Sequence, residues 1–134
     1  MSEPDMHGWT SYDNPGDAFV QYNGPIWLRD DGGVREYAFM PRDIHGNPNA
    51  VVHGGMLMSF ADIALGHPCW VDRAAVTVSL TVNFISGARL GELVTCRPQI
   101  VRKTRSLYFP RGDLMQGGRC VATASGVWKI AGAR

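Results

Sequence analysis

Residues 50–68 of this chain read Ala-Val-Val-His-Gly-Gly-Met-Leu-Met-Ser-Phe-Ala-Asp-Ile-Ala-Leu-Gly-His-Pro, and Asp62 is the only formally charged residue among them. A carboxylate in such apolar surroundings loses hydration, which costs several kcal/mol unless the group is hydrogen-bonded or stays near water. Catalysis is one reason for a chain to keep a carboxylate there, so Asp62 is a candidate catalytic group. The alternative is that Asp62 faces water or satisfies a neighbouring backbone group.

The same segment predicts a helix from about residue 54 to residue 65, with a glycine pair at its start and Gly66 and Pro68 as its stop signal. Its apolar side chains leave almost no polar face, which is typical of a helix buried on all sides. They are Met56, Leu57, Met58, Phe60, Ile63 and Leu65. Met56, Met58 and Phe60, together with Trp70 and Phe84, either line a substrate pocket or belong to the core.

The rest of the chain predicts antiparallel strands. A hairpin is expected from strands 26–28 and 34–40 around a turn at residues 29–33, because apolar runs flank a glycine pair. The remaining predicted strands are 75–84, which alternates as a half-buried strand, then 93–103, 107–115 and 119–130. Pro98 suggests an edge or a bulge in the second of these. One buried helix followed by a meander is an α+β arrangement.

Length and composition indicate one globular domain with little net charge. The chain has 134 residues, of which 45% are hydrophobic and 19% charged, with 13 basic against 12 acidic residues. This balance argues against general affinity for nucleic acid or for an anionic membrane. Residues 1–18, which are rich in turn formers, are expected to form an N-terminal arm that Trp9 and Tyr12 pin to a domain of residues 19–134.

Cysteine usage and the N-terminus favour a cytoplasmic protein. Cys69, Cys96 and Cys120 are odd in number and lack CxxC spacing, which suggests neither disulfides nor zinc. His45 and His67 have no metal-ligand spacing with His53, so no metal is expected. The first residues contain no secretory signal, and no apolar run has the length needed to cross a bilayer.

The motif around the helix start resembles a known family. Asn47 lies six residues before His53, the pair Gly54-Gly55 follows, and Asp62 lies nine residues after His53. With the preceding hairpin and the following strands, this order resembles the hotdog fold, in which a curled antiparallel sheet wraps a central helix. The closer likeness is to small acyl-CoA thioesterases of the phenylacetate-degradation type, which are similar to 4-hydroxybenzoyl-CoA thioesterases.

The resemblance extends from about residue 25 to residue 129. It includes residues 83–92, Asn-Phe-Ile-Ser-Gly-Ala-Arg-Leu-Gly-Glu, which look like the end of the family's next strand and the turn after it. Many relatives have proline where Gly87 stands. This departure concerns the stiffness of the loop rather than the chemistry.

The family's catalytic roles map onto the matching positions here. The resemblance implies that Asp62 acts as general base or nucleophile on a thioester carbonyl, that Asn47 and the Gly54 amide polarise this carbonyl, and that Thr77 positions Asp62 or a water. Glycine at positions 54 and 55 lets the thioester approach the backbone at the positive end of the helix. His53 either caps the corner between loop and helix or hydrogen-bonds near the thioester. Asn47 also fits plain loop chemistry.

The spacing along the helix implies an assembly. Gly54 and Asp62 are eight residues apart, which corresponds to about 12 Å along a helix axis. That reach is long for a site within one protomer. The family builds its sites at a dimer interface, so a homodimer or homotetramer is expected.

Coenzyme A carries phosphates that need cationic partners. The stretch between Glu92 and Asp113 is basic and contains no acidic residue, so it supplies candidate partners for these phosphates. The usual explanation of such a run is a strand face exposed to solvent. The resemblance places the nucleotide at Thr104-Arg105-Ser106, with Arg102 and Lys103 as spare cations. Further substrate contacts are expected at Ser79, Phe84, Ser86 and Arg89.

The sequence therefore predicts an acyl-CoA thioesterase with no cofactor beyond the coenzyme A of its substrate. Two rivals stay open at this point. One is a hotdog hydratase or dehydratase, which usually has a different glycine context around a catalytic histidine. The other is a non-catalytic acyl-CoA-binding module, which has little use for a buried base at position 62. The identity of the acyl group is left open.

Overall fold

An antiparallel sheet of eight strands curls around one long helix. This computed structural model describes residues 5–12 and 14–132 of the chain. Its elements, in chain order, are β1 (Thr10–Ser11), α1 (Ala18–Asn23), β2 (Ile26–Asp31), β3 (Val34–Phe39), a 3-10 turn (Asp43–His45), α2 (Gly54–Asp72), β4 (Ala75–Phe84), β5 (Val94–Cys96), β6 (Gln99–Lys103), β7 (Leu107–Gln116) and β8 (Arg119–Ile130). The strand order is β1-β2-β3-β5-β7-β8-β4, and β6 pairs with β7 beside this path.

Helix α2 continues well beyond its predicted end. The stop signal at Gly66 and Pro68 is wrong, since the helix runs to Asp72 with the proline inside it. Proline removes only the hydrogen bond from its own missing N–H and crowds the preceding turn. Beyond it Cys69 is fully buried, and Asp72 accepts hydrogen bonds from Tyr108 and Lys103 on the sheet. These tertiary contacts offset the local cost.

The prediction that α2 is buried on all sides is also wrong. One side packs into the core through Met56, Leu57, Phe60, Ala61, Ala64, Leu65, Gly66 and Cys69. The other flank is open, with Met58 exposed by 38% and Trp70 by 57%. None of the helices in the described part of the chain is both long and apolar enough to span a bilayer.

Two strand boundaries in the structure differ from the predicted ones. The hairpin turn contains only Gly32 and Gly33, whose φ angles of 60° and 83° suit a two-residue turn, so β2 extends to Asp31. The single strand expected over residues 93–103 is divided into β5 and β6. The division falls at Arg97 and Pro98, where the proline has no N–H to give to a ladder.

Strand β4 is an edge strand rather than a half-buried one. A bulge between Thr77 and Ser79 interrupts the pairing of β4 with β8. The alternation of side chains between the two faces of the strand is therefore broken at this bulge. Val76 and Val78 are 58% and 59% exposed. The strand at this end of the sheet order therefore presents both an unpaired backbone edge and apolar side chains.

The N-terminal segment contacts the sheet at two points. Strand β1 pairs with β2, and the Arg29 guanidinium lies 4.2 Å from the centre of the Trp9 ring. The Tyr12 ring meets His67 of α2 edge-on, with 5.0 Å between ring centres. Residues 1–4 and 13 of the predicted arm lie outside the described residues. The division into an arm of residues 1–18 and a domain of residues 19–134 stays a prediction.

Gly66 allows β8 to approach α2 closely. A Cβ atom at this position would lie 2.7 Å from Nε1 and 3.1 Å from Cε2 of Trp128, whose side chain is buried. We expect Gly66→Ala to lower the free energy of unfolding by about 1–3 kcal/mol, because overpacking outweighs the gain in helix propensity. Denaturant titration measures the change.

The matched control for Gly66→Ala is Gly55→Ala on the same helix. A Cβ there meets only the His53 ring, at 3.4 Å or more, and the residue is exposed. This variant should be neutral or more stable by up to about 1 kcal/mol. Equal stability changes at the two positions would contradict the packing role of Gly66.

Candidate active site

A buried histidine organises the loop in front of α2. The Nδ1 atom of His45 accepts a hydrogen bond from the Arg42 N–H at 2.9 Å, and Nε2 lies 2.7 Å from the Asn23 carbonyl, so Nε2 carries the proton and donates it. Burial lowers the pKa of His45, and the nearby Arg42 charge lowers it further, against the opposing effect of the Asn23 hydrogen bond. A neutral imidazole therefore holds the loop that carries Asn47.

The two ends of the Asn47 side chain have different surroundings. Its Oδ1 accepts hydrogen bonds from the N–H groups of Asn49 at 2.9 Å and Val51 at 3.4 Å. This is the loop chemistry considered above. The Nδ2 amino group donates to no other described residue.

The first turn of α2 leaves one amide free. His53 caps the helix, with Nδ1 accepting from the Gly55 N–H at 3.1 Å and the carbonyl accepting from Met56 and Leu57. The Gly54 N–H has no acceptor among the residues that the structure describes. A free N–H at the positive end of a helix can stabilise a developing oxyanion.

Asp62 and Thr77 meet between α2 and β4. The Thr77 hydroxyl donates to Oδ1 of Asp62 at 2.8 Å, and Asp62 is partly exposed. Both residues line an open cavity of about 530 Å³, which we call the Asp62 cavity. The carboxylate thus keeps one oriented hydrogen bond and access to water. Both reduce the cost of desolvating a charged group on an apolar helix.

A second cavity lies at the start of α2. It has a volume of about 330 Å³ and is lined by Gly54, Phe84 and Ser86, together with neighbouring apolar residues. Ser86 is already engaged, because its hydroxyl donates to the Cys120 carbonyl and accepts from Arg119. Within one protomer the structure therefore places Gly54 and Asp62 on separate cavities.

A buried glutamine positions the segment that carries Arg89. Gln116 is 1% exposed, accepts from the Arg89 N–H at 2.8 Å, and donates to the carbonyls of Arg89 and Glu92. The Arg89 guanidinium is left exposed and has no acid partner in the described residues. The only signal of this role in the sequence is a polar residue directly after the predicted strand 107–115, and β7 includes it as its last residue.

Acids neutralise three of the cations in the basic stretch. Lys103 pairs with Asp72 at 2.6 Å, and this contact, followed by the Tyr108 hydrogen bond, lowers the pKa of Asp72. Arg97 pairs with Asp31 and Glu36, and Arg111 with Asp113. Arg102 and Arg105 are exposed and have no acid within ion-pair distance in the described parts of the chain.

The turn that holds Arg105 is internally bonded. The Thr104 hydroxyl oxygen accepts from the N–H groups of Ser106 at 3.4 Å and Leu107 at 3.1 Å. Arg105 thus projects from a defined turn rather than from a loose loop. Ser79 lies on β4, exposed, after the bulge.

Comparison with known proteins gives one family. Residues 49–122 match the model of the thioesterase superfamily. A Pseudomonas aeruginosa protein described as a candidate esterase is 30% identical over 112 residues, covering 80% of this chain and 84% of that protein. Among solved structures, the PaaI protein from the phenylacetic acid degradation operon of Escherichia coli aligns with a TM-score of 0.79 at 22% identity, over 87% of this chain and 86% of that one. A hypothetical thioesterase with coenzyme A from Streptococcus pneumoniae aligns with a TM-score of 0.73 at 20% identity, over 81% and 90%.

Proposed function

Because this chain belongs to the thioesterase superfamily, we propose that it hydrolyses acyl-CoA thioesters to a free acid and coenzyme A. The observation that carries the proposal is the Asp62 carboxylate, which Thr77 orients at the edge of an open cavity. The Streptococcus pneumoniae relative, solved with coenzyme A, supports the choice of thiol. The deciding experiment is thiol release from a panel of acyl-CoA esters, measured for the wild type and for Asp62 variants.

Asp62 has two chemically complete roles. As a general base it takes a proton from water, the water oxygen attacks the thioester carbon, and the tetrahedral intermediate expels the thiolate, which then takes up the proton. As a nucleophile its carboxylate oxygen attacks the same carbon and expels the thiolate, and water then hydrolyses the resulting anhydride. In both routes Thr77 fixes one carboxylate oxygen and leaves the other for the reaction.

The developing oxyanion needs donors near the attacked carbon. We assign this role to the free Gly54 N–H and to the Nδ2 amino group of Asn47, which have no acceptor among the described residues. Two such donors are worth several kcal/mol where water is excluded. His53 acts through its cap on Gly55, because that contact fixes the direction of the first turn.

The separation of Gly54 from Asp62 implies that two protomers share each site. Eight residues of helix span about 12 Å. Gly54 and Asp62 of one protomer are therefore too far apart to contact the same carbonyl. Two α2 helices packed antiparallel would bring Asp62 of one protomer to Gly54 of the other. The open flank of α2 and the exposed edge of β4 are the surfaces available for this dimer.

The nucleotide of coenzyme A is assigned to the turn Thr104-Arg105-Ser106. Arg105 projects from this bonded turn with no acid partner among the described residues, so its charge is available for a phosphate. Arg102 likewise has no acid partner among them, whereas Lys103 is already paired. We assign to the path between this turn and the thioester the side chains of Phe84, Ser86 and Arg89. Ser79 is assigned to the side of the same path that β4 forms.

Arg105→Ala should raise KM for acyl-CoA by about three- to tenfold and leave kcat within twofold. A contact made equally in ground and transition states contributes uniform binding, so its loss appears in KM. Steady-state kinetics at several salt concentrations measure this, and the variant should lose part of the salt dependence.

Two controls separate a phosphate contact from a general surface effect. Arg111→Ala removes an arginine that already pairs with Asp113 and should leave KM unchanged. Hydrolysis of an acyl-N-acetylcysteamine, which lacks the nucleotide, should be insensitive to Arg105→Ala. Equal effects on both substrates would assign Arg105 a structural role.

A further inference from the structure

The β4–β5 loop, residues 85–93, forms one wall of the cavity at the start of α2. Residues 84–88 line this cavity together with Gly54. A Cβ atom on Gly54 would lie 3.5 Å from the Phe84 ring, so the helix start is close to the chain that enters the loop. Gly87 gives the backbone of the loop little stiffness of its own. The shape of the loop therefore depends on its contacts with other elements.

Two side chains at the β7–β8 hairpin hold this loop. Arg119 donates from Nη1 to the Ser86 hydroxyl oxygen at 3.1 Å and to the Gly87 carbonyl at 2.9 Å. Its Nη2 donates to Oε1 of the buried Gln116 at 3.2 Å. The same Oε1 accepts from the Arg89 N–H, and Nε2 of Gln116 donates to the Arg89 carbonyl, both at 2.8 Å. We call Arg119 and Gln116 the loop clamp.

Arg119 contributes through the geometry of its guanidinium. The side chain is partly buried, and its three acceptors are neutral oxygens. No acid lies within ion-pair distance of it in residues 5–12 and 14–132. A planar guanidinium donates in several fixed directions at once, which the single ammonium of lysine cannot reproduce. Arg119 is thus suited to fixing the positions of three oxygen atoms relative to each other.

The loop is bonded in turn to the segment that carries both proposed oxyanion donors. The Ala88 carbonyl accepts from the N–H of the buried Val52 at 2.8 Å, and the next residue of the loop forms a β-bridge with Val51. The Val51 carbonyl accepts from the Asn47 N–H at 2.8 Å. Val52 lies two residues before Gly54. Hydrogen bonds and short backbone segments therefore connect the loop clamp with both donors.

We propose that Arg119 is a positioning residue for thioester hydrolysis, which fixes the Gly54 N–H and the Asn47 amino group through the β4–β5 loop. The inference rests on the proposed thioesterase function and adds the device that holds its two donors in place. Such donors lower the barrier only when they are aimed at the oxyanion in advance, so a small displacement reduces the rate. Arg119 itself contacts the loop and not the substrate.

Arg119→Met keeps an apolar side chain of similar length and removes the three hydrogen bonds. We expect kcat to fall about tenfold and KM to stay within about twofold, because the loss appears only in the transition state. Acyl-CoA and acyl-N-acetylcysteamine should lose equally, since both form the same oxyanion. Unchanged kcat would overturn the proposal. A raised KM for acyl-CoA alone would also overturn it, because Arg119 would then be a contact for the nucleotide.

Arg119→Lys separates geometry from charge. Lysine keeps the positive charge but not the planar set of donors, so its kcat should stay within about threefold of that of Arg119→Met. Wild-type kcat in the lysine variant would overturn the role of the guanidinium geometry. Arg111→Ala removes an arginine of β7 that pairs with Asp113 and should keep wild-type kinetics.

Amide hydrogen exchange tests the connection without catalysis. In Arg119→Met the Val52 N–H should exchange about tenfold faster than in wild type, because the loop that holds it opens more often. The Ile130 N–H, which donates to the Ser106 carbonyl elsewhere in the sheet, should be unchanged. Equal acceleration at both amides would show a global loss of stability and overturn the proposal. Loss of dimer mass in light scattering would do the same, since Arg119 would then act on assembly.

The inference and the proposed function fail in different ways. Wild-type hydrolysis with unchanged kcat in both Arg119 variants would overturn positioning by Arg119 and leave the thioesterase function intact. Absence of thiol release by wild type from the whole panel of acyl-CoA esters would overturn the proposed function, and the inference with it.

Discussion

Replacement of Asp62 by asparagine is expected to lower kcat for acyl-CoA hydrolysis by about 10²–10⁴-fold if the carboxylate is a general base, and by more if it is the nucleophile. The amide can still accept the Thr77 hydrogen bond, so the geometry of the cavity is kept while the basic oxygen is lost. Thiol release under saturating substrate measures the effect. The protein should stay folded, because Asp62 is partly exposed and α2 is anchored on its other side.

Three variants sharpen this test. Asp62→Ala should lose as much activity as Asp62→Asn, and Thr77→Val, which removes only the orienting hydroxyl, should lose less. Asp113→Asn changes a carboxylate on β7 that pairs with Arg111 and should keep wild-type rates. Near-wild-type hydrolysis by folded Asp62→Ala would remove Asp62 from the mechanism, and a binding module without catalysis would show no thiol release at all.

The two roles of Asp62 differ in their transient kinetics. A nucleophile forms an acyl-enzyme intermediate, so coenzyme A is released in a burst if hydrolysis of the anhydride is slower than its formation. A general base forms no acyl-enzyme, so it gives no burst from this cause.

A charged side chain on the exposed edge of β4 should abolish both dimer formation and activity. We expect wild type to have at least the mass of a dimer in light scattering, and Val78→Lys to be monomeric with activity reduced at least about 10²-fold. Val78 is 59% exposed in the protomer and does not line the Asp62 cavity, so charge there is tolerated by the fold but not by an edge-to-edge contact. The activity is lost because Gly54 and Asp62 of one chain cannot reach the same carbonyl.

Val101→Lys is the matched control, since Val101 is similarly exposed, at 58%, but lies on β6. It should keep dimer mass and turnover. A change from tetramer to active dimer in this variant would place a second contact on β6. A monomeric variant with full activity, from either substitution, would contradict a site shared between protomers.

Local patterns predicted much of the architecture. The hotdog fold and the thioesterase family are confirmed by the observed architecture and by the superfamily match. The start of α2 at Gly54 and the bounds of β8, Arg119–Ile130, are as predicted. Glycine pairs and period-two alternation act over a few residues, so the sequence itself contains the information.

Errors arose where distant contacts outweighed local preference. Pro68 is a reliable stop signal in isolation, but the buried Cys69 and the contacts of Asp72 with Tyr108 and Lys103 continue the helix past it. The alternation in β4 predicts one buried face. Its position at the end of the sheet order leaves Val76 and Val78 exposed.

The candidate site was only partly accessible from the sequence. Asp62 stands out as a lone charge on an apolar helix, and the resemblance paired it with Thr77. The Thr77 hydroxyl oxygen lies 2.8 Å from Oδ1 of Asp62. Gln116 and His45 hold the loops of Arg89 and Asn47 through backbone groups, and no spacing predicts such bonds.

The sequence by itself determined which side chains carry chemistry, where α2 begins and which segments alternate as strands, because these follow from residue type and short-range periodicity. The tertiary structure decided which flank of α2 is open, which cations are already neutralised and which nitrogen of His45 holds the proton. The last two depend on partners elsewhere in the chain, such as Asp72 for Lys103 and the Asn23 carbonyl for His45. Burial and pairing are properties of the folded surface, and they arise only when those partners meet.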